Sequence, residues 1–275
     1  MAQRILTALI LIPVVLLLIY GCPLWGFLAA ATALLGLALW EYSALVGKHG
    51  WRLSPASWVV ALALPWGAVY RPEFLVMLVL FGVAAVSGWE VLRVRKLEHG
   101  LPQWGVNLGG VAILGTPFAV LGRLHPRALD AGLPDPGEHA LLLLLLIVWV
   151  GDAGAYFVGR AWGKHRFLPH LSPKKTVEGF LAGLFVPVAL LLVWPYPPAG
   201  ASGTARAALG LLVALAGILG DLLESLWKRG AGVKDSSGLL PGHGGILDRI
   251  DSLLLAAPVY YAILSLLESP LLAGP

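Results

Sequence analysis

The chain has 275 residues, of which 58% are hydrophobic and only 12% charged, with a formal net charge of +4. A soluble domain carries about a quarter charged residues, so this is the composition of a polytopic membrane protein. The basic residues are scattered among apolar segments rather than gathered on one patch, which argues against a nucleic-acid partner, and the single cysteine, Cys22, excludes an internal disulfide.

The N-terminus reads "ILTALILIPVVLLLIYGC" after Arg4. This resembles a secretory signal, with Gly21-Cys22 as a faint lipoprotein cleavage site. Tyr20, however, fills a position that wants a small residue, and another apolar run follows at once. An uncleaved first membrane helix is expected. Spanning a bilayer takes about 20 mostly apolar residues. Nine segments qualify in chain order: 4–21, 23–46, 56–70, 73–92, 104–122, 139–161, 177–195, 204–228 and 248–268. The third is short enough to be tilted or interfacial. No strand periodicity and no internal repeat interrupts them. Turn residues fill the gaps, as in "AGLPDPGEH" (131–139) and "PYPPAGASG" (195–203).

Threading nine spans with the N-terminus in the cytoplasm puts only Arg71, Arg123, Arg127 and Arg206 outside, out of 19 basic residues. The positive-inside bias therefore supports nine spans, with the N-terminus cytoplasmic and the C-terminus outside. The chain divides into 1–135, with about five helices, and 136–275, with the helices expected to carry a cytoplasm-facing site. The two most polar loops, 160–178 and 228–251, fall on the cytoplasmic side, where nucleotides are.

In the helix 204–228, Asp221, Glu224, Ser225 and Lys228 share one face by their spacing of three and four. Asp221 lies about two turns, roughly 10 Å, inside the helix end. A carboxylate at that depth normally faces a bundle interior or a watery cavity. Two readings stand: an ion pair of Asp221 or Glu224 with Lys228, or a metal or phosphate site. In the next helix, Asp248 and Asp251 are three apart and are expected to share a face. They either complement the helix dipole or converge with Asp221 around a divalent cation, since magnesium takes one or two carboxylates plus waters and substrate phosphates.

Between these helices lies "KDSSGLLPGHGGILDRID" (234–251). Lys228, Arg229 and Lys234 supply positive charge, and Gly238, Gly242, Gly244 and Gly245 permit the tight turns of a phosphate-cradling loop. His243, set between glycines, is open to three roles: phosphate donor, proton carrier or loop stabiliser. A second polar block supports the first. Asp152 and Tyr156 lie one turn apart in 139–161, followed by Arg160. In "LSPKKTVEGF", Lys174 and Lys175 sit at an expected helix start, an anion site or a headgroup anchor. Glu178 is expected to cap that helix, while Glu41 and Glu90, near cytoplasmic helix ends, are expected to snorkel or pair. No GxxxxGK[ST] loop supports P-loop chemistry. Phosphoryl or nucleotidyl transfer to a membrane-dissolved substrate fits these features best.

"SLWKRGAGVKDSSGLLPGHGGILDRID", Ser225 to Asp251, resembles the signature of the phosphatidate cytidylyltransferases, or CDP-diacylglycerol synthases. Ser225, Lys228, Arg229, Lys234, Asp235, Pro241, His243, Gly244, Gly245, Asp248, Arg249 and Asp251 all fall in place. "SPKKTVEG" (172–179) and "GDAGAYFVGR" (151–160) are similar to that family as well. The resemblance implies an all-helical inner-membrane homodimer that converts CTP and phosphatidate to CDP-diacylglycerol and pyrophosphate with Mg2+, leaving room for a second cation. It implies that Asp221 and Asp248 foremost, then Asp251 and Asp152, are the metal carboxylates. Asp221, Asp248, Lys228, Arg229, Lys234 and His243 are then the candidate catalytic set. Ser172, Lys174, Lys175, Lys228, Arg229, Lys234, Asp235, Gly244, Gly245 and Arg249 are the candidate phosphate-binding set. Three rivals remain. A CDP-alcohol phosphotransferase would need D-x-x-D-G-x-x-A-R, which is missing. A CTP-dependent lipid-alcohol kinase would need a base for the hydroxyl. An anion transporter would usually show paired halves.

Overall fold

Inside a bilayer every backbone N–H and C=O must be satisfied by the chain itself, so long apolar runs fold as helix. The computed structural model describes residues 12–93, 96–131, 138–196, 201–240, 242 and 244–268. Arg4, Arg95 and the start of the first expected span lie outside them. Among the described residues the fold is all-helical, with only two isolated β-bridges, Arg166 to Thr176 and Leu240 to Gly244.

Helices α1 (Ile12–Gly21), α2 (Leu24–Gly47), α3 (Pro55–Tyr70), α4 (Pro72–Arg93), α5 (Leu97–Arg123), α6 (Ala140–Trp162), α7 (Val177–Val193), α8 (Gly203–Gly230) and α9 (Leu247–Leu267) follow in order. Six of them, α2, α4, α5, α6, α8 and α9, are long and apolar enough to cross a membrane, whereas α1, α3 and α7 are shorter apolar helices among the described residues. Two differences from the sequence-based segments matter. Helix α5 begins at Leu97 rather than 104, because a short tight turn at Leu97–His99 leads directly into it. Helix α9 is not continuous: Leu247–Ile250 and Leu253–Leu267 are separate segments with Asp251 and Ser252 between them. Asp248 and Asp251 therefore do not share one helical face.

The chain forms two compact units. The first comprises residues 1–134 together with 230–250, so the glycine-rich loop packs with the N-terminal helices. Its core is built around α3. Pro55 opens that helix, and the Ser54 hydroxyl accepts from the Ser57 N–H, satisfying one orphan donor. Asn107 of α5 is fully buried; its Oδ1 accepts from Ser54 N and Ser57 Oγ, both at 2.6 Å, and its Nδ2 donates to Glu90 at 3.1 Å. Glu90 therefore pairs with a buried amide. Leu64, Ala68 and Ala119 form one core cluster, and Leu24, Leu28, Val69 and Ala128 another.

The second unit comprises residues 135–229 and 251–275. Helices α6 and α7 meet along small residues. Gly151, Ala155 and Gly159 of α6 face Gly183 and Gly179 of α7, so closely that a methyl at Gly179 would lie 2.7 Å from the Ala155 carbonyl. Helix–helix association in lipid rests on such close packing. Here it fixes the stretch around Asp152 against the start of α7.

Candidate active site

The second unit carries a polar cluster at the break in α9. Gly220 of α8 lies so close to this break that a Cβ would run into the carbonyl oxygen of Asp251. Asp221, the next residue, is thereby brought towards Asp251. The Asp251 carboxylate lies in the electrostatic field of Asp221, Asp152 and Lys228. The Asp251 side chain also accepts the N–H of Ser252 at 2.7 Å, closing the break.

Two lysines are assigned to separate acids. The Lys175 ammonium donates to Asp221 Oδ2 at 2.5 Å, and Ser225 Oγ stands 3.5 Å from Oδ1. Lys228, almost buried, pairs with Glu224 one turn before it, which is wholly buried. The ion-pair reading thus holds for Glu224 and Lys228, while Asp221 belongs to Lys175. Lys175 reaches its partner because residues 163–177 fold back on themselves: Phe167 N–H donates to Lys175 O and Val177 N–H to His165 O, both at 2.9 Å. The Leu168 carbonyl accepts from Leu171 and Ser172, with Leu168 itself at φ 47°. That left-handed conformation is disfavoured for a branched side chain and is held by the turn around it. Arg229 Nε reaches the Leu171 carbonyl at 3.4 Å. Thr176, rather than Glu178, caps α7 by accepting the Gly179 N–H; Glu178 takes the His165 ring at 2.7 Å. Lys174 and Arg160 are exposed and Ser172 is half-buried.

The first unit carries the glycine-rich loop. Asp248 Oδ2 accepts from Ser236 N at 2.9 Å, Ser236 Oγ at 2.8 Å and Gly245 N at 2.8 Å. The N–H of Gly245 is therefore already given to Asp248. Leu240 N–H donates to Gly244 O at 2.8 Å, and Gly244 sits at φ 75°, where only glycine is relaxed. Lys234, Asp235 and Arg249 are exposed. His243 and Pro241 lie outside the described residues.

Glu41 is the site residue that sequence reasoning underrated. Expected to snorkel or pair, it is instead wholly buried in α2 and accepts four hydrogen bonds from the loop. The available signal was its isolation: it is the only charged residue in a 24-residue apolar helix. Glu224, by contrast, was expected from its spacing as a possible partner of Lys228, and the two are paired.

The donors fit a hard divalent cation. Asp152, Asp221 and Asp251 offer carboxylate oxygen only, and Asp221 and Asp152 each repel the Asp251 carboxylate, so a positive ion beside Asp251 is favoured. Among the described residues no group of three or more His, Cys, Asp or Glu side chains is placed to hold a metal ion. Magnesium does not need one, since substrate phosphates and waters complete its shell.

Comparison with known proteins adds breadth. The pattern of the Cytidylyltransferase family matches residues 2–267. The chain is 36% identical over 273 residues to a phosphatidate cytidylyltransferase of Pseudomonas aeruginosa, covering 95% of this chain and 96% of that protein. It is 34% identical over 284 residues to that of Haemophilus influenzae, with coverages of 94% and 96%. To that of Synechocystis it is 36% identical over 299 residues, covering 96% and 97%.

Proposed function

The chain belongs to the Cytidylyltransferase family, and we infer from that membership that it is a multi-pass membrane nucleotidyltransferase, a phosphatidate cytidylyltransferase. It joins CTP and phosphatidate to give CDP-diacylglycerol and pyrophosphate. Full-length similarity to relatives bearing that name supports the substrates. The observation that carries the chemistry is the cluster around Asp251: its carboxylate lies in the field of Asp221 and Asp152, with Lys175 bound to Asp221, among apolar helices.

An oxygen of the lipid phosphate attacks the α-phosphorus of CTP; the bond from that phosphorus to the β-phosphate oxygen breaks, and pyrophosphate leaves with the electron pair. The nucleophile is already anionic, so no strong general base is required. Asp221, with Asp251 and Asp152 beside it, would hold magnesium, and the signature gives Asp248 the same duty. When bound, the cation neutralises phosphate charge and orients the reacting oxygens. Lys174, Arg229, Lys234 and Arg249 supply fixed positive charge for the phosphates, worth most where charge spreads in the transition state, while Lys228, its charge offset by Glu224, takes its phosphate role from the signature alone. Lys175 sets the position of the Asp221 carboxylate, and Ser172 lies on the same folded-back loop. Asp235, Gly244 and His243 take their substrate roles from the signature. The positive-inside bias supports nine spans in the inner membrane, N-terminus and site cytoplasmic, C-terminus outside. The family resemblance adds a homodimer.

The test is turnover of purified protein in detergent–phosphatidate micelles with CTP. Magnesium gives cytidine in the lipid extract and free pyrophosphate; EDTA abolishes both. A folded protein that leaves CTP intact under these conditions contradicts the reading.

A further inference from the structure

We propose that Glu41 is a positioning residue of the cytidylyl transfer, which anchors the signature loop through both of its ends and so fixes Asp248. The inference rests on the family reading above, but its geometry lies within one unit. Glu41 is far from the signature in sequence, separated from its partners by 195 to 206 residues. Its Oε1 accepts from Ser237 Oγ at 2.6 Å and from Ile246 N at 2.9 Å. Its Oε2 accepts from Ser236 Oγ at 3.0 Å and from Leu247 N at 2.7 Å. Each oxygen thus takes one hydroxyl from the start of the loop and one backbone N–H from its end.

The chemistry of this arrangement is specific. A wholly buried carboxylate is costly unless its lone pairs are filled, and here four donors fill them. Two of those donors, Ile246 N–H and Leu247 N–H, lie at the start of the short Leu247–Ile250 turn, where the backbone N–H groups have no helical carbonyl before them to bind. Ser236 carries one hydroxyl proton, yet it stands 3.0 Å from Glu41 and 2.8 Å from Asp248. That single hydroxyl bridges the anchor to the signature aspartate. The last glycine of the "GHGG" run follows from the same packing. A Cβ at Gly245 would collide with both Ser236 Oγ and the Glu41 carboxylate, so this glycine is required by Glu41 and Ser236 rather than by any need for unusual dihedrals.

Glu41 touches no expected substrate atom; its effect passes through the loop. Outer-sphere partners of this kind typically change metal affinity or activity by about 10- to 100-fold. In E41Q the amide NH2 faces one backbone N–H, whose bond is lost, and one serine hydroxyl, which must turn from donor to acceptor, while volume is kept. The expected result in folded protein has two parts. The magnesium concentration for half-maximal turnover rises by about tenfold and kcat falls by about 10- to 100-fold, with KM for phosphatidate within about twofold of wild type. In the metal-free protein, amide hydrogen exchange accelerates in the peptide 236–247 but not in α3. S237A, which removes one of the four donors, shifts both readouts in the same direction by less, and it carries the test if E41Q does not fold. Unchanged loop exchange and magnesium dependence in the folded variants overturn the proposal. So does lost turnover with wild-type magnesium dependence, which marks a purely structural role. Wild-type protein inactive with CTP and phosphatidate would instead overturn the family reading, an outcome told apart from the others by that control.

Discussion

Asp221 has a lysine on one carboxylate oxygen, a serine near the other and the Asp251 carboxylate in its field. Replacing it with asparagine keeps the shape and removes the charge. Loss of a cation's transition-state stabilisation amounts to several kcal/mol, so D221N is expected to lower turnover by about 10²- to 10³-fold without shifting the melting temperature by more than a few degrees. K175M, which spares the carboxylate and frees it to move, is expected to cost about tenfold. Equal losses in the two variants would place Lys175 in direct contact with substrate. The shared face of Asp221, Glu224, Ser225 and Lys228 was legible from helical spacing alone. Which acid each lysine serves was not, because Lys175 reaches Asp221 only after residues 163–177 fold back on themselves, a matter of tertiary hydrogen bonds that spacing does not encode. Glu41 was misjudged for a related reason: its four partners lie some 200 residues away.

At the scale of elements, the close approach of α8 to the break in α9 does what longer side chains could not. Gly220 leaves room for the Asp251 carbonyl, and a methyl there meets backbone rather than a movable side chain. G220A is therefore expected to destabilise the protein by about 1–3 kcal/mol, the usual cost of overpacking, read as a fall in melting temperature together with reduced turnover. A variant with unchanged stability would show that the two helices are not held at this separation. The small-residue seam of α6 and α7 is the other positional device. It was not foreseen from sequence, where Gly151, Gly159, Gly179 and Gly183 are scattered through two apolar runs that look alike. Helix existence was legible from hydrophobicity because a bilayer leaves the backbone no alternative. The interruption at Asp251–Ser252 was not, since nothing in "LDRIDSLLL" forbids a continuous helix; packing against Gly217 and Gly220 selects the break.

For the whole molecule, the charge asymmetry along the chain makes a topological prediction. In cells carrying a Cys22→Ser variant, a cysteine at Lys164 is expected to resist a membrane-impermeant thiol reagent applied from outside, whereas one at Arg206 reacts. The reverse pattern would invert the orientation, and reaction at both would break the nine-span count. The chain's organisation holds a further lesson. The loop 230–250 lies between α8 and α9 in sequence but packs with the N-terminal helices, so a division of the chain at 135 alone separates Glu41 from the loop it anchors. The central claim is narrower than any of these: the lipid phosphate takes the α-phosphorus of CTP, with its cytidine, and releases the other two phosphates. Turnover of CTP labelled either at the α- or at the γ-phosphate, in phosphatidate micelles with magnesium, tests it directly. The expected result is α-label in the lipid phase and γ-label entirely in pyrophosphate. Recovery of γ-label in lipid, with the α-label left in a water-soluble cytidine nucleotide, would contradict it and make the protein a lipid kinase.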